Sequence, residues 1–222
     1  MAIEASNEAA ARRRIRLGMV GGGQGAFIGA VHRIAARIDD QFELVAGALS
    51  SDPARARASA NELGIADDRA YGSFEVMANA EAARPDGIEV VSIVAPNHIH
   101  FPAAKRFLEA GIHVICDKPL ASTVAEAEEL VALAKKTGKV FVVTYAYTGY
   151  PMVRQARAMV AKGHLGDIRL VQAEYPQDWL TERIESSGHK QAAWRTDPTK
   201  SGAGGCVGDD PCLPSRLLRY RP

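Results

Sequence analysis

Cysteine is scarce in this chain, with only Cys116, Cys206 and Cys212 among 222 residues. An odd count without metal-type spacing gives no disulfide framework and no metal site, and it fits a reducing cytoplasm. Long apolar runs are missing too: no stretch approaches the roughly 18–20 residues that cross a bilayer as a helix. Arg12, Arg13 and Arg14 precede an apolar run at 15–20, but that run passes straight into glycines and is too short for the core of an export signal. Residues 1–14 are read as a flexible tail. Neither sign of charge dominates, since 27 basic residues face 26 acidic ones and the basic residues form no long run. Phosphate backbones require a concentrated positive surface, so nucleic acid is not the expected partner. Internal repeats and low-complexity tracts are also lacking.

What is present is alternation. Apolar, β-rich runs at 15–20, 42–48, 88–95, 112–116 and 140–145 predict strands, several of them near-continuous as in strands covered on both faces. Helical patterns fall between them, at about 26–38, 53–63, 102–110 and 124–136. The last is well signalled: Thr123 and Glu126 form a capping-box pair, and Gly138 follows two lysines at the far end. Alternating β and α elements predict a doubly wound parallel α/β sheet of Rossmann type, with its ligand crevice at the carboxyl ends of the strands. This first domain is placed at 15–146. A second α/β domain is expected to start at 147, with a helix at about 152–161 and a strand at 168–175. Only about 75 residues are left for it, against a modal domain of roughly 100–150.

Candidate chemistry gathers at the predicted strand ends. Gly21, Gly22, Gly23, Gln24, Gly25 and Ala26 follow a strand and open a helix, the setting a dinucleotide fingerprint requires. Gly21 permits a tight turn, Gly23 lets the backbone approach a pyrophosphate, and small Ala26 allows helix and strand to pack closely. After the second strand a ribose-binding carboxylate is expected, but the chain reads Ser50-Ser51-Asp52. Ser50 and Ser51 suit a ribose or a 2′-phosphate, the latter with help from Arg55. Asp52 before Pro53 equally suits a helix cap. NAD and NADP both stay open. Pro96, Asn97, His98 and His100 form a proline-stiffened turn after the third strand, while His32, His113, His164 and His189 read as structural. Lys118 stands before Pro119 at the end of the fourth strand. Hydride transfer from an alcohol needs a group to take the hydroxyl proton and positive charge to stabilise the alkoxide, and a lysine serves either task, its free amine taking the proton and its ammonium holding the alkoxide.

This set resembles the glucose–fructose oxidoreductase/inositol dehydrogenase family, Gfo/Idh/MocA. The likeness rests on the glycine turn, Pro96-Asn97-x-x-His100, Asp117-Lys118-Pro119, and Trp194-Arg195-x-Asp197-Pro198 leading into Ser201-Gly202-Ala203-Gly204-Gly205. The resemblance implies a Rossmann domain followed by an α/β domain with a large open sheet, and NAD(P)-linked oxidation or reduction of a sugar, polyol or derivative. It implies that Lys118 is the catalytic or substrate-orienting lysine, with a bond to Pro119 that can be cis. Pro96, Asn97, His100, Asp117, Trp194 and Arg195 would line the cofactor, and members commonly assemble as homo-oligomers through the second domain's sheet.

Three departures from the family pattern stand out. Asp117 replaces the usual glutamate and keeps the carboxylate, and Ala146 stands where a polar residue is frequent. After Gly208 and Asp209 the family continues with a helix carrying an acid/base histidine, whereas here Pro211 and Pro214 are followed by Arg216, Arg219 and Arg221. Prolines so placed break a buried helix. Codons exist for 212–221 that, read one base later, give Ala-Tyr-His-Leu-Ala-Ser-Phe-Val-Thr, close to the family's helix. A frameshift near 209 and a truncated second domain, poorly ordered from about 201, are therefore expected. The competing reading is a dinucleotide-binding module without turnover.

Overall fold

The apolar runs form one five-stranded sheet. Its strands are β1 (Ile15–Gly21), β2 (Phe42–Ala48), β3 (Val90–Val94), β4 (His113–Cys116) and β5 (Phe141–Val143), in the order β2-β1-β3-β4-β5. β1 runs parallel to β2, and β4 to β5. Every residue of β3 is buried, as in a strand covered on both faces. The order reverses beside β1, which is the doubly wound Rossmann arrangement the alternation predicts. The computed structural model describes residues 13–172, 174 and 181–201.

By internal contacts the chain divides into two units, 1–92 and 93–222. The first holds α1 (Phe27–Ile38), α2 (Pro53–Glu62) and α3 (Phe74–Ala83) around a core in which Met19, Ala46, Met77 and Val91 have no exposed surface. The second holds α4 (Asn97–Glu109), α5 (Val124–Thr137), α6 (Pro151–Ala161), α7 (Lys190–Arg195) and α8 (Pro198–Ser201). Ile93, Phe107, Leu108, Val114 and Leu130 are fully buried there, each large side chain contributing about 1.5–3 kcal/mol. The capping box of α5 is formed, with Gly138 in the left-handed conformation at its end.

Several elements depart from the sequence reading. α3 was not foreseen, because its buried face carries Glu81 beside Met77 and Ala78 and so breaks the apolar stripe. α4 starts at Asn97, five residues before Pro102, so the proline lies inside the helix. Its missing N–H removes one i→i−4 bond, the one to the His98 carbonyl, in the helix's second turn. Residues 168–172 form no strand, and Leu170 is 83% exposed. A strand needs neighbours for its backbone groups, and among the described residues nothing pairs with this segment. α7 and α8 lie in a stretch for which the sequence reading gives no element. Arg13 and Arg14, assigned to the tail, are tied by ion pairs to Glu89 and Asp40. The expected disorder and frameshift beyond 201 lie outside the described residues.

Glu81 is the most constrained polar group. Its carboxylate accepts from Arg69, from the Tyr71 hydroxyl at 2.7 Å and from the Ile88 amide at 2.9 Å, and its side chain is wholly buried. Removing one partner of a buried pair strands the other charge. Glu81→Ala should therefore lower unfolding stability by about 3–5 kcal/mol in a urea titration. Glu89 gives a pH signature. Its hydrogen bond from Arg13, and then that from the Arg16 amide, hold its carboxyl down from 4.5 to about 2. The stabilisation is complete above the ordinary value and is lost as pH falls through about 2. Stability of Glu89→Gln should fall less than wild type between pH 4.5 and 2, as followed by acid titration of ellipticity.

Candidate functional site

The glycine turn is built by hydrogen bonds that continue past the end of β1. The Gly23 amide donates to the Leu49 carbonyl at 3.3 Å, and the Ala26 amide to the Gly23 carbonyl at 3.0 Å. The Gln24 amide donates to Ser59 Oγ at 3.0 Å, and that hydroxyl donates to the Arg55 carbonyl at 2.7 Å. Three of the turn's amides are thus engaged, two of them by Leu49 and Ser59 outside it. Those of Gly25, Phe27 and Ile28 donate to no acceptor among the described residues. They lie at the start of α1, where unpaired amides and the helix dipole favour an anion. Arg33, half-buried on α1, donates to the Gly22 carbonyl at 2.8 Å, and burial lowers its pKa.

Gly21, Gly22 and Gly25 have φ of 77°, 73° and 73°, which only glycine adopts readily. Gly23 has a different reason: a Cβ there would stand 2.6 Å from Ser59 Oγ and 2.8 Å from the Leu49 carbonyl oxygen. Its smallness serves the turn's own packing. Ala26 is the N-cap of α1, while close packing falls to Gly29, where a Cβ would come within 2.4 Å of Gly22 Cα. After β2, Asp52 caps α2 by accepting from the Arg55 amide at 2.7 Å, one of the two roles its position allowed. The Ser50 hydroxyl accepts from the Asp52 amide at 3.1 Å, and Ser51 is exposed.

In the second unit, Pro96 is the N-cap of α4. Asn97 and His100 are 2% and 1% exposed, whereas His98 is exposed. Asn97 Nδ2 donates to the Ser201 carbonyl at 3.0 Å, so α8 is joined to the start of α4. The His100 ring lies between two carbonyl oxygens, with Nδ1 2.7 Å from Pro119 and Nε2 2.9 Å from Ala95. Lys118 is half-buried, and its bond to Pro119 is cis. Asp117 Oδ1 accepts from the Lys118 amide at 2.9 Å and from the Thr144 hydroxyl at 3.0 Å. Cys116 beneath it is fully buried, and burial, reinforced by the Asp117 charge, raises its thiol pKa. The Arg195 guanidinium lies 4.4 Å over the Trp194 ring. Among the described residues no group of three or more His, Cys, Asp or Glu side chains is placed to hold a metal, and no helix is long and apolar enough to cross a membrane.

Within the first unit the structure assembles the turn from Gly21 to Ala26. Within the second it links His100 to the Lys118-Pro119 turn and Asn97 to α8. Gly29, Ser59 and Thr144 escaped the sequence reading. Gly29 alone carried a signal, being a glycine inside a helical pattern, which marks close packing. Gly29→Ala should drive a methyl into the Gly22 backbone and cost about 1–3 kcal/mol in urea unfolding. A variant as stable as wild type would show that α1 can draw back from the turn.

Comparison with known proteins agrees with this geometry. Residues 15–145 match the Gfo/Idh/MocA model described as an oxidoreductase family with an NAD-binding Rossmann fold, and 153–219 match the Gfo/Idh/MocA C-terminal domain. An uncharacterized oxidoreductase of Bacillus subtilis, YfiI, is 44% identical over 88% of this chain and 50% of its own length. Levoglucosan dehydrogenase of Pseudarthrobacter phenanthrenivorans is 30% identical over 94% of this chain and 51% of its own. The inositol dehydrogenase homolog from Azotobacter vinelandii, solved with NAD+, is 41% identical, with a TM-score of 0.90 over 94% of this chain and 54% of that one. Solved with NADH and myo-inositol, it gives 40% and a TM-score of 0.85, over 94% of this chain and 52% of that one. The chain spans about half the length of these relatives. It belongs to the Gfo/Idh/MocA oxidoreductase family.

Proposed function

We propose that this chain holds NAD(H) at the glycine turn and serves an oxidoreductase acting on a sugar, polyol or derivative. The observation that carries the reading is the turn itself: among the described residues the amides of Gly25, Phe27 and Ile28, at the head of α1, donate to no acceptor. Such amides suit a pyrophosphate. NAD(H) is preferred over NADP(H) because the Azotobacter homolog was solved with NAD+ and NADH. Ser50 and Ser51 are the proposed ribose contacts. Pro96, Asn97, Trp194 and Arg195 are proposed to complete the cofactor's surroundings. Residues 15–146 are assigned to the dinucleotide domain and 147–222 to the substrate domain, a division supported by the extents of the two family matches.

When bound, the nicotinamide supplies a hydride acceptor or donor. Lys118 is proposed to act on the substrate, taking a hydroxyl proton or stabilising the alkoxide through its ammonium. The substrate class rests on the relatives' names, myo-inositol for the Azotobacter homolog and levoglucosan for the Pseudarthrobacter enzyme.

Binding and chemistry are separable in this arrangement, because backbone amides bind the phosphates while a side chain acts on the substrate. A fluorescence titration should show saturable NADH binding by wild type and weaker binding of NADPH. Lys118→Ala should change the NADH affinity by less than about tenfold, or about 1.4 kcal/mol. Failure of folded wild-type protein to bind either dinucleotide would sink the proposal.

A further inference from the structure

Lys118 is held by its backbone on both sides. On the amino side, Asp117 Oδ1 accepts the Lys118 amide and the Thr144 hydroxyl together, at 2.9 and 3.0 Å. Thr144 comes off the end of β5, and its own amide donates to the Cys116 carbonyl at 3.0 Å, extending the β4–β5 ladder by one rung. The hydroxyl that steadies Asp117 is therefore anchored to a strand and not to a mobile loop. On the carboxyl side, the His100 ring reaches the Pro119 carbonyl with Nδ1, and Nε2 faces the Ala95 carbonyl just beyond β3. With 1% exposure and a carbonyl oxygen facing each nitrogen, the ring cannot turn toward a ligand without taking its N–H donor away from a buried carbonyl.

We propose that Thr144 and His100 are positioning residues that clamp the Lys118 turn from its two sides and present its ammonium in one orientation. This rests on Lys118 being the group that acts on the substrate. His100 then acts through the Pro119 carbonyl and not as a cofactor contact, and Thr144 acts through the Asp117 carboxylate. The carboxylate needs two donors to keep one orientation. Without the hydroxyl it retains, among the described residues, the adjacent Lys118 amide, which moves with it.

The clamp can be read without turnover. Lys118 would be acetylated with an N-hydroxysuccinimide ester and followed by mass spectrometry of its peptide, with exposed Lys162 at the end of α6 as reference. Thr144→Val and His100→Phe should each speed Lys118 acetylation by about threefold or more relative to Lys162, the factor one ordinary hydrogen bond supplies. Thr144→Ser restores the hydroxyl and should return the rate to within about twofold of wild type. A mere loss of general stability would speed both lysines and would not be rescued selectively by serine. An unchanged Lys118 rate in both variants, or a serine variant that behaves like valine, overturns the proposal. If one variant does not fold, the other decides. An NADH titration of wild type runs beside it: absence of binding would remove the cofactor reading, while the labelling ratio still decides the clamp.

Discussion

Where a strand stops, its last carbonyls and amides still need partners, and most of the candidate site follows from how this chain provides them. Beyond β1 the Gly23 amide continues the ladder onto the Leu49 carbonyl. Beyond β4 the Asp117 amide bonds to the Ile93 carbonyl, and beyond β5 the Thr144 amide bonds to the Cys116 carbonyl. The Ala95 carbonyl, just past β3, faces an imidazole nitrogen of His100. Buried backbone groups are costly when unpaired, so each of these loops is tied down at its first residues. The residues put forward for chemistry lie directly after those ties. Their precision comes from the sheet.

The same requirement sorts side chains that looked alike in the sequence. Asp52 and Asp117 both stand after strands, yet each is occupied by the backbone near it: Asp52 by the Arg55 amide, Asp117 by the Lys118 amide and Thr144. His32, His113 and His189 likewise meet partners, Ser92 and the Val140 and Ala192 amides. Gly23 and Gly29 are small because backbone or a buried serine stands where a Cβ would go. Glycines in a fingerprint therefore report the packing of a turn as much as the approach of a ligand.

Much of the fold could be read from the chain. The five apolar runs became the five strands, and a strand buried on both faces, as β3 is, needs no alternation to be recognised. The glycine turn and Lys118 stand out because each ends such a run. Elements whose buried face is not apolar were hidden: α3 turns Glu81 inward, satisfied by Arg69, Tyr71 and the Ile88 amide, partners remote from its helical turn. Ser59 and Thr144 left no local signal, since their bonds to Gln24 and Asp117 span 35 and 27 residues. The supposed strand from 168 failed for the complementary reason. Its apolar composition was right, but a strand is a pairing, and composition alone does not supply the neighbour.

These observations favour a division of labour between backbone and side chain. The proposed phosphate contacts at the glycine turn are main-chain amides, which carry no identity and tolerate change wherever the turn geometry survives. Lys118 offers a single functional group whose direction is set by a main-chain bond to Asp117 and by the carbonyl of the residue after it. A substitution in the first site acts by reshaping the turn, as the crowding around Gly23 and Gly29 shows. A substitution around the second can leave the fold in place and still redirect one ammonium. Partners of the backbone beside Lys118 are therefore the residues through which its proposed reactivity can change while the glycine turn stays as it is.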